Sequence, residues 1–178
     1  MNIANKLTML RVAMIPVFVA VLYIGFTGSS YVAAAIFILA SLTDYADGYI
    51  ARRRGLVTDF GKFMDPLADK VLVFAAMLWF VERGAVPSWA ALIVIARELA
   101  VTALRLVAAR AGRVIAAAKS GKVKTALTML CLTAMLVLRD PPGWVYGVGV
   151  AIITAATVIS GAEQFYKNKD VMNTNDNK

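Results

Sequence analysis

Six apolar segments of membrane-spanning length follow one another along the chain, and they restrict the possible fold more than any other feature. They cover roughly residues 11–28, 31–52, 63–82, 86–110, 120–139 and 144–165. A helix needs about 20 predominantly apolar residues to cross a bilayer. The sequence therefore predicts an all-α integral membrane protein with six transmembrane helices, forming one domain over residues 1–166.

The composition agrees with a membrane protein. Of the 178 residues, 60% are hydrophobic and 17% are charged, whereas soluble domains average about 25% charged residues. The first ten residues predict a short N-terminal interfacial helix, and residues 167–178 predict a polar, disordered tail. A cleaved signal peptide over residues 1–30 is the competing interpretation of the N-terminus, because small residues follow an apolar stretch there.

Basic residues are distributed unevenly between the two sides of the predicted bundle. The loops of one side hold only Arg83 and Arg139. The termini, the remaining loops and the span ends next to them hold most of the others, including the run Arg52-Arg53-Arg54. Because cytoplasmic loops carry the excess of Lys and Arg, we expect a multi-pass protein of the cell membrane. Both termini and the Arg52 to Lys62 loop should then face the cytoplasm.

Four aspartates overlap the second and third apolar segments. A carboxylate near the centre of a bilayer costs roughly 2.5 to 3.5 kcal/mol, so such residues normally line a functional site. Asp44 and Asp47 are three residues apart, and Asp65 and Asp69 are four apart, which places each pair on one face of its helix. Two antiparallel helices would bring the four carboxylates together near the cytoplasmic interface. This arrangement predicts a bound cation.

The available side chains limit which cation can bind. The sequence has no histidine, and its one cysteine, Cys131, lies in an apolar run. Hard carboxylate ligands favour Mg²⁺, Mn²⁺ or Ca²⁺ over zinc or copper, and four of them suit a pair of ions about 3.5 to 4 Å apart. Gly48 and Ala51 leave space beside the helix, and Arg52 offers a forked donor for phosphate. A nucleotide or pyrophosphate substrate would fit such a site.

Each of these residues also has an ordinary explanation when it is taken alone. Gly48, Ala51 and Gly61 could serve helix packing, and Arg52 could belong to a basic stop signal. Together, however, the residues from Asp44 to Asp69 spell D-x-x-D-G-x-x-A-R-x8-G-x3-D-x3-D. Through this motif and the six spans, nearly the whole chain resembles the CDP-alcohol phosphatidyltransferase family.

The resemblance implies an enzyme that transfers a phosphatidyl group from CDP-diacylglycerol to an alcohol and releases CMP. It also implies a divalent cofactor, Mg²⁺ or Mn²⁺, with two ions in the active site. The metal ligands implied are Asp44, Asp47, Asp65 and Asp69, of which Asp69 would also act as the base. The residues implied to bind CDP-diacylglycerol are Gly48, Ala51, Arg52 and Gly61.

Three further stretches of the sequence resemble those of family members that use glycerol 3-phosphate as the acceptor. They are Asn5-x-x-Thr8-x-x-Arg11, Arg97-Glu98 with Arg105, and Gly121-Lys122-Val-Lys124-Thr125. This similarity implies that Asn5 and Thr8 reach the nucleotide of CDP-diacylglycerol. In the fourth helix, Arg97, Glu98 and Arg105 fall within an arc of about 100°. A cationic pocket for the acceptor phosphate would then consist of Arg97, Arg105, Lys122 and Lys124. A buried ion pair of Glu98, with Arg105 or with a basic residue of another helix, is the alternative.

Other functions remain open at this point. Within the family, inositol phosphate, serine or a second phospholipid could replace glycerol 3-phosphate. A small cation transporter would explain the aspartates but not Arg52 or the arginines of the fourth helix, because a cationic pocket opposes cation conduction. Gly143-x-x-x-Gly147 resembles a helix contact motif, and we expect a homodimer. The expected partners are the two substrates and membrane lipids, and no nucleic acid.

Overall fold

The computed structural model describes residues 3–54, 59–110, 112–113, 115, 118–138 and 142–173, without the side chains of 3–8, 44–54, 59–66, 69 and 172–173. The described residues form helices and no strand. In chain order these helices are α1 (Ile3–Ile24), α2 (Ser29–Arg54), α3 (Asp59–Glu82), α4 (Ser88–Arg110), α5 (Lys119–Val137), α6 (Gly143–Lys167) and α7 (Lys169–Asn173).

Helices α1 to α6 coincide with the six predicted apolar segments, but the two ends of the chain differ from expectation. At the N-terminus, the expected interfacial helix and the first span form one continuous helix, α1. The residues at the expected boundary, Leu10 and Arg11, are good helix formers, so nothing ends the helix there. At the C-terminus, the expected disordered tail begins with α7, because Val171 packs against Leu104 and Ala108 of α4.

Two helices of the described part are long and apolar enough to cross a membrane, namely α5 and α6. Shorter apolar stretches occupy Met9–Ile24 of α1 and Ser29–Thr43 of α2. Large apolar side chains are exposed on the outside of the bundle, as Leu92, Leu99 and Leu106 are on α4. These observations indicate a membrane protein. The number of six spans stays a prediction.

Glycines end two of the helices. Gly84 follows α3 with φ of +71°, and Gly112 follows α4 with φ of +70°. The N–H of each glycine bonds to a carbonyl of the last helical turn, at 3.0 Å and 3.1 Å, and the N–H of the next residue bonds to the carbonyl one residue earlier, at 2.9 Å in both cases. This is the Schellman arrangement, which requires a left-handed residue and therefore favours glycine. Both turns allow a short connection between successive helices.

Contacts between helices define the two ends of the bundle. At one end, Tyr23 of α1 donates a hydrogen bond to Glu82 of α3. Toward the other end, Lys70 of α3 bonds to Thr102 of α4. We call this second end the motif end, because α2 finishes and α3 begins there. The apolar core, with Phe18, Phe37 and Phe80 among its members, is built from α1 to α6 and the α3–α4 connection.

Candidate active site

The residues of the aspartate motif are divided between two consecutive helices that contact each other. The C-terminal half of α2 carries Asp44, Asp47, Gly48, Ala51 and Arg52. The N-terminal half of α3 carries Gly61, Asp65 and Asp69. Near the start of α1 are Asn5 and Thr8. The side chains of all these residues lie outside the described part of the chain, so their predicted roles stay predictions.

The predicted metal site consists of four aspartates, and the oxygen atoms of their carboxylates determine which ion it suits. No group of three or more Cys, Asp or Glu side chains that could hold a metal occurs in the part of the chain that the structure describes. The four aspartates predicted to bind metal are outside that part. Carboxylate oxygens are the ligands that Mg²⁺ and Mn²⁺ prefer, so the chemistry of the donor set fits either ion.

A buried carboxylate joins α4 to α5 toward the motif end. Glu98 is 8% exposed, and its Oε1 accepts a hydrogen bond from Arg97 Nη1 at 2.8 Å and another from Lys124 Nζ at 2.5 Å. Arg97 Nη2 also donates to Ser160 Oγ of α6 at 3.1 Å. We refer to Arg97, Glu98, Lys124 and Ser160 as the Glu98 cluster. Glu98 links α4 to α5 through Lys124, and Arg97 links α4 to α6 through Ser160.

The Glu98 cluster extends toward α3. Lys70 Nζ lies 4.0 Å from Glu98 Oε2 and donates a hydrogen bond to Thr102, whose hydroxyl bonds to the Glu98 carbonyl oxygen at 2.7 Å. Lys70 directly follows Asp69 in the sequence. The cluster is therefore adjacent, along α3, to the last aspartate of the motif.

The structure brings together two of the four residues predicted to bind the acceptor phosphate. Arg97 and Lys124 share Glu98, whereas Arg105 and Lys122 are exposed. The alternative prediction for Glu98, an ion pair with a basic residue of another helix, is confirmed by Lys124. Because a carboxylate already pairs with Arg97 and Lys124, the acceptor pocket of four basic residues stays a prediction.

A polar stripe on α6 was missed by the sequence reasoning. Thr157, Ser160, Gly161 and Gln164 are all buried, and their spacing of three, four and seven residues places them on one helical face. Gly161 lies against Arg97, since a Cβ atom at this position would be 3.0 Å from Arg97 Cγ. The signal was present in the sequence as polar residues at helical spacing within an apolar span.

Several buried polar atoms near this level have no hydrogen-bond partner among the described residues. They are Arg97 Nε, Thr128 Oγ1, Thr157 Oγ1 and Gln164 Nε2. A buried polar group left unpaired costs about 1–3 kcal/mol. Native structures normally satisfy such groups with protein, water or a ligand.

Two cavities differ in size and lining. A cavity of about 30 Å³ lies between Lys70, Glu98, Lys124 and Thr128, which is room for about one water molecule. A larger cavity of about 410 Å³ is at the opposite end of the bundle, beside Trp79 and Arg83. The larger cavity contains no residue of the aspartate motif or of the Glu98 cluster. We therefore place the candidate active site by its charged residues and not by cavity size.

The sequence model of the CDP-alcohol phosphatidyltransferase family matches residues 1–160. This match covers the whole aspartate motif and the Glu98 cluster. The chain belongs to the CDP-alcohol phosphatidyltransferase family.

Relatives within the CDP-alcohol phosphatidyltransferase family match almost end to end. A Bacillus subtilis protein named CDP-diacylglycerol–glycerol-3-phosphate 3-phosphatidyltransferase is 41% identical over 97% of this chain and 98% of its own length. The Escherichia coli K12 protein of the same name is 44% identical over 89% of this chain and 88% of its own length. A probable phosphatidylglycerophosphate synthase of Mycobacterium tuberculosis H37Rv is 39% identical over 91% of this chain and 79% of its own length.

Proposed function

We propose that this chain transfers the phosphatidyl group of CDP-diacylglycerol to glycerol 3-phosphate, forming phosphatidylglycerophosphate and releasing CMP. The observation that carries the proposal is the identity of 39–44% to relatives named for this reaction, over most of both chains. The complete aspartate motif supports the transfer, and the partly buried Arg97 and the buried Lys124 support an acceptor that carries phosphate.

The reaction replaces a phosphoanhydride bond of CDP-diacylglycerol with a phosphoester bond to the acceptor. A hydroxyl oxygen of glycerol 3-phosphate forms a bond to the phosphorus that bears diacylglycerol, and the bond from this phosphorus to the bridging oxygen breaks. CMP leaves with that oxygen, and the attacking hydroxyl gives up its proton. We assign the proton to the Asp69 carboxylate, because a carboxylate beside the hydroxyl can serve as general base.

Arg52 and the four aspartates belong to the part of the proposed site that binds CDP-diacylglycerol. Two Mg²⁺ or Mn²⁺ ions held by Asp44, Asp47, Asp65 and Asp69 would supply positive charge to the pyrophosphate. Arg52 would bind a phosphate oxygen through its fork, while Gly48, Ala51 and Gly61 would leave room for the nucleotide. Asn5 and Thr8 of α1 would contact the nucleotide from the other side.

On the acceptor side, Arg97 and Lys124 would bind the phosphate of glycerol 3-phosphate. Charge-assisted hydrogen bonds to phosphate are about twice as strong as neutral ones. Serine carries no phosphate, so the pair favours glycerol 3-phosphate or another phosphate monoester over serine. Arg105 and Lys122 are exposed, and their charges would attract the acceptor toward the site.

The test uses purified full-length protein in detergent with CDP-diacylglycerol. We expect CMP release that depends on glycerol 3-phosphate and on Mg²⁺ or Mn²⁺, with phosphatidylglycerophosphate identified by mass spectrometry. Serine and inositol phosphate are offered in parallel and in competition. Preferred turnover of either would contradict the acceptor assignment and leave the family unchanged. Cation flux in vesicles without CMP release would favour a transporter instead.

We also propose that α1 to α6 each cross the cell membrane and that the motif end faces the cytoplasm. The basic loops support this orientation, and the exposed aromatic residues Tyr31, Trp89 and Trp144 at the opposite end are typical of a membrane interface. Single cysteines at Thr27 and Lys169, in a Cys131→Ser background, should be labelled from opposite sides of the membrane by an impermeant reagent. Labelling of both from one side would contradict the six-span arrangement.

A further inference from the structure

The Glu98 cluster holds two cations beside one another inside the bundle. Arg97 Nη1 and Lys124 Nζ both bond to the same oxygen, Glu98 Oε1, at 2.8 Å and 2.5 Å. Without an anion between them, two cations at this separation, with side chains only 11% and 7% exposed, would repel each other, and each would lose much of its hydration. The carboxylate is therefore what keeps these two donors adjacent.

A glycine of α6 adds a second constraint on Arg97. The side chain crosses α6 at Gly161, where an added Cβ would be 3.0 Å from Arg97 Cγ. Its far end is held at Ser160 Oγ, 3.1 Å from Nη2, and Ser160 itself donates to the Thr157 carbonyl oxygen at 3.1 Å. Any larger residue at position 161 would have to displace the stem of Arg97.

These contacts leave Arg97 fixed but not fully satisfied. Its Nε is buried and has no hydrogen-bond partner among the described residues. Glu98 carries one negative charge, whereas Arg97 and Lys124 together carry two positive charges, so one positive charge is not neutralised by Glu98. A phosphate monoester brings up to two negative charges and several acceptor oxygens, so it supplies what the pair lacks.

We propose that Glu98 and Gly161 are positioning residues, which hold Arg97 and Lys124 as a two-point clamp for the phosphate of the acceptor. The proposal rests on the proposed function for the identity of that acceptor. Neither residue is assigned a contact with substrate. Glu98 acts through its bonds to the two cations, and Gly161 acts by leaving space for the Arg97 side chain.

The effect of neutralising Glu98 on the KM for glycerol 3-phosphate has opposite signs if Glu98 positions the clamp and if it is only a counter-ion. As a negative charge near the phosphate, Glu98 would then weaken acceptor binding, and its neutralisation should lower the KM for glycerol 3-phosphate. If Glu98 positions the clamp, Glu98→Gln should raise that KM about tenfold, with the KM for CDP-diacylglycerol unchanged. The direction of the change therefore separates the two roles.

Gly161→Ala tests the same clamp without changing any charge. We expect it to raise the KM for glycerol 3-phosphate at least about fivefold, because the new methyl group displaces Arg97. Gly147→Ala on the same helix is the matched control, since a Cβ there meets nothing within 4 Å. Gly149→Ala is a control for tight packing, since its Cβ would lie 3.2 Å from Met135 Sδ, and it should leave both KM values unchanged.

A binding measurement separates this inference from the proposed function. Inorganic phosphate should raise the Tm of the unmodified protein, and Glu98→Gln and Gly161→Ala should reduce that rise. If these results are obtained but glycerol 3-phosphate is not turned over, the proposed function fails and the clamp remains. If glycerol 3-phosphate is turned over and both variants keep its KM, the clamp is wrong and the proposed function remains.

Discussion

The buried faces of α4, α5 and α6 change character within one helical turn. On α5, Leu132 is buried in the apolar core, whereas Thr128, four residues earlier, is buried among polar groups. The same change separates Val94 from Glu98 on α4 and Ile153 from Thr157 on α6. All three changes run from an apolar residue to a polar one in the direction of the motif end.

This contrast separates an apolar half of the bundle from a half whose interior also holds charged and polar groups. Apolar burial would stabilise the motif half equally well, and replacing buried ionic groups with apolar residues is often neutral or stabilising. The polar half nevertheless holds a buried carboxylate, two cations bonded to it and several buried hydroxyl groups that have no partner among the described residues. Function explains this composition better than stability does, and the following substitutions test the distinction.

The largest effect is expected in the aspartate motif of the polar half. Asp47→Asn should reduce turnover at least about a hundredfold, because charge stabilisation by a metal centre is worth several kcal/mol. CMP release from CDP-diacylglycerol, measured across a Mg²⁺ titration, checks this. Asp59→Asn is the matched control, since Asp59 lies between the two aspartate pairs but at a variable position of the motif. An active Asp47→Asn variant would remove this aspartate from the metal site.

In the apolar half, Leu132→Ala should lower the free energy of unfolding by about 2–5 kcal/mol, because it leaves a cavity in the core. Thermal unfolding in detergent measures the change. The KM for glycerol 3-phosphate should not change at temperatures where the variant is folded. Leu130→Ala on the exposed face of α5 is the control and should have little effect. A large KM change in Leu132→Ala would show that the two halves are not separable.

A smaller difference is expected between the partly buried Arg97 and the exposed Arg105. Arg97→Ala should raise the KM for glycerol 3-phosphate at least about tenfold, whereas Arg105→Ala should raise it no more than about fivefold, since exposed charges are screened by water and salt. Steady-state kinetics at two salt concentrations check both values. Equal effects of the two substitutions would instead support the acceptor pocket of four basic residues.

The smallest effect is expected for a hydroxyl group of the polar half. Thr128→Val keeps the shape of the side chain and removes an Oγ1 without a partner in the described residues, so stability should change by less than about 1 kcal/mol, in either direction. Thr125→Val is the control, because Thr125 Oγ1 bonds to the Gly121 carbonyl oxygen at 3.1 Å. A large loss of stability in Thr128→Val alone would show that its hydroxyl has a bound partner.

The positions of the long helices could be predicted from the sequence because each apolar segment is bounded by charged residues, glycine or proline. The fourth segment, expected at 86–110, is observed as Ser88–Arg110. The continuity of α1 was missed, because an interfacial helix and a membrane span are both built from helix-forming residues and the sequence does not show whether they join. The order of Val171 was also missed, since it depends on contacts with Leu104 and Ala108 that are distant in sequence.

The candidate site could be predicted only in part. Local spacing places the members of the aspartate motif on two adjacent helices, α2 and α3, and their metal-binding role stays a prediction. To predict that Lys124 pairs with Glu98, one would need to know how α5 is rotated about its axis and how far it is shifted along α4. No local sequence pattern specifies either quantity. The stripe from Thr157 to Gln164 was recognisable by its spacing, but its role depends on the position of Arg97, which the structure supplies.

The docking of α7 onto α4 has a practical consequence for handling the protein. Val171 covers Leu104 and Ala108, the two residues that flank Arg105 and Leu106 on α4. A chain shortened to Lys167, or an affinity tag fused there, would leave this apolar patch uncovered beside one of the predicted acceptor residues. Tags are therefore better placed beyond Lys178, and loss of activity after C-terminal trimming should not be attributed to the membrane helices.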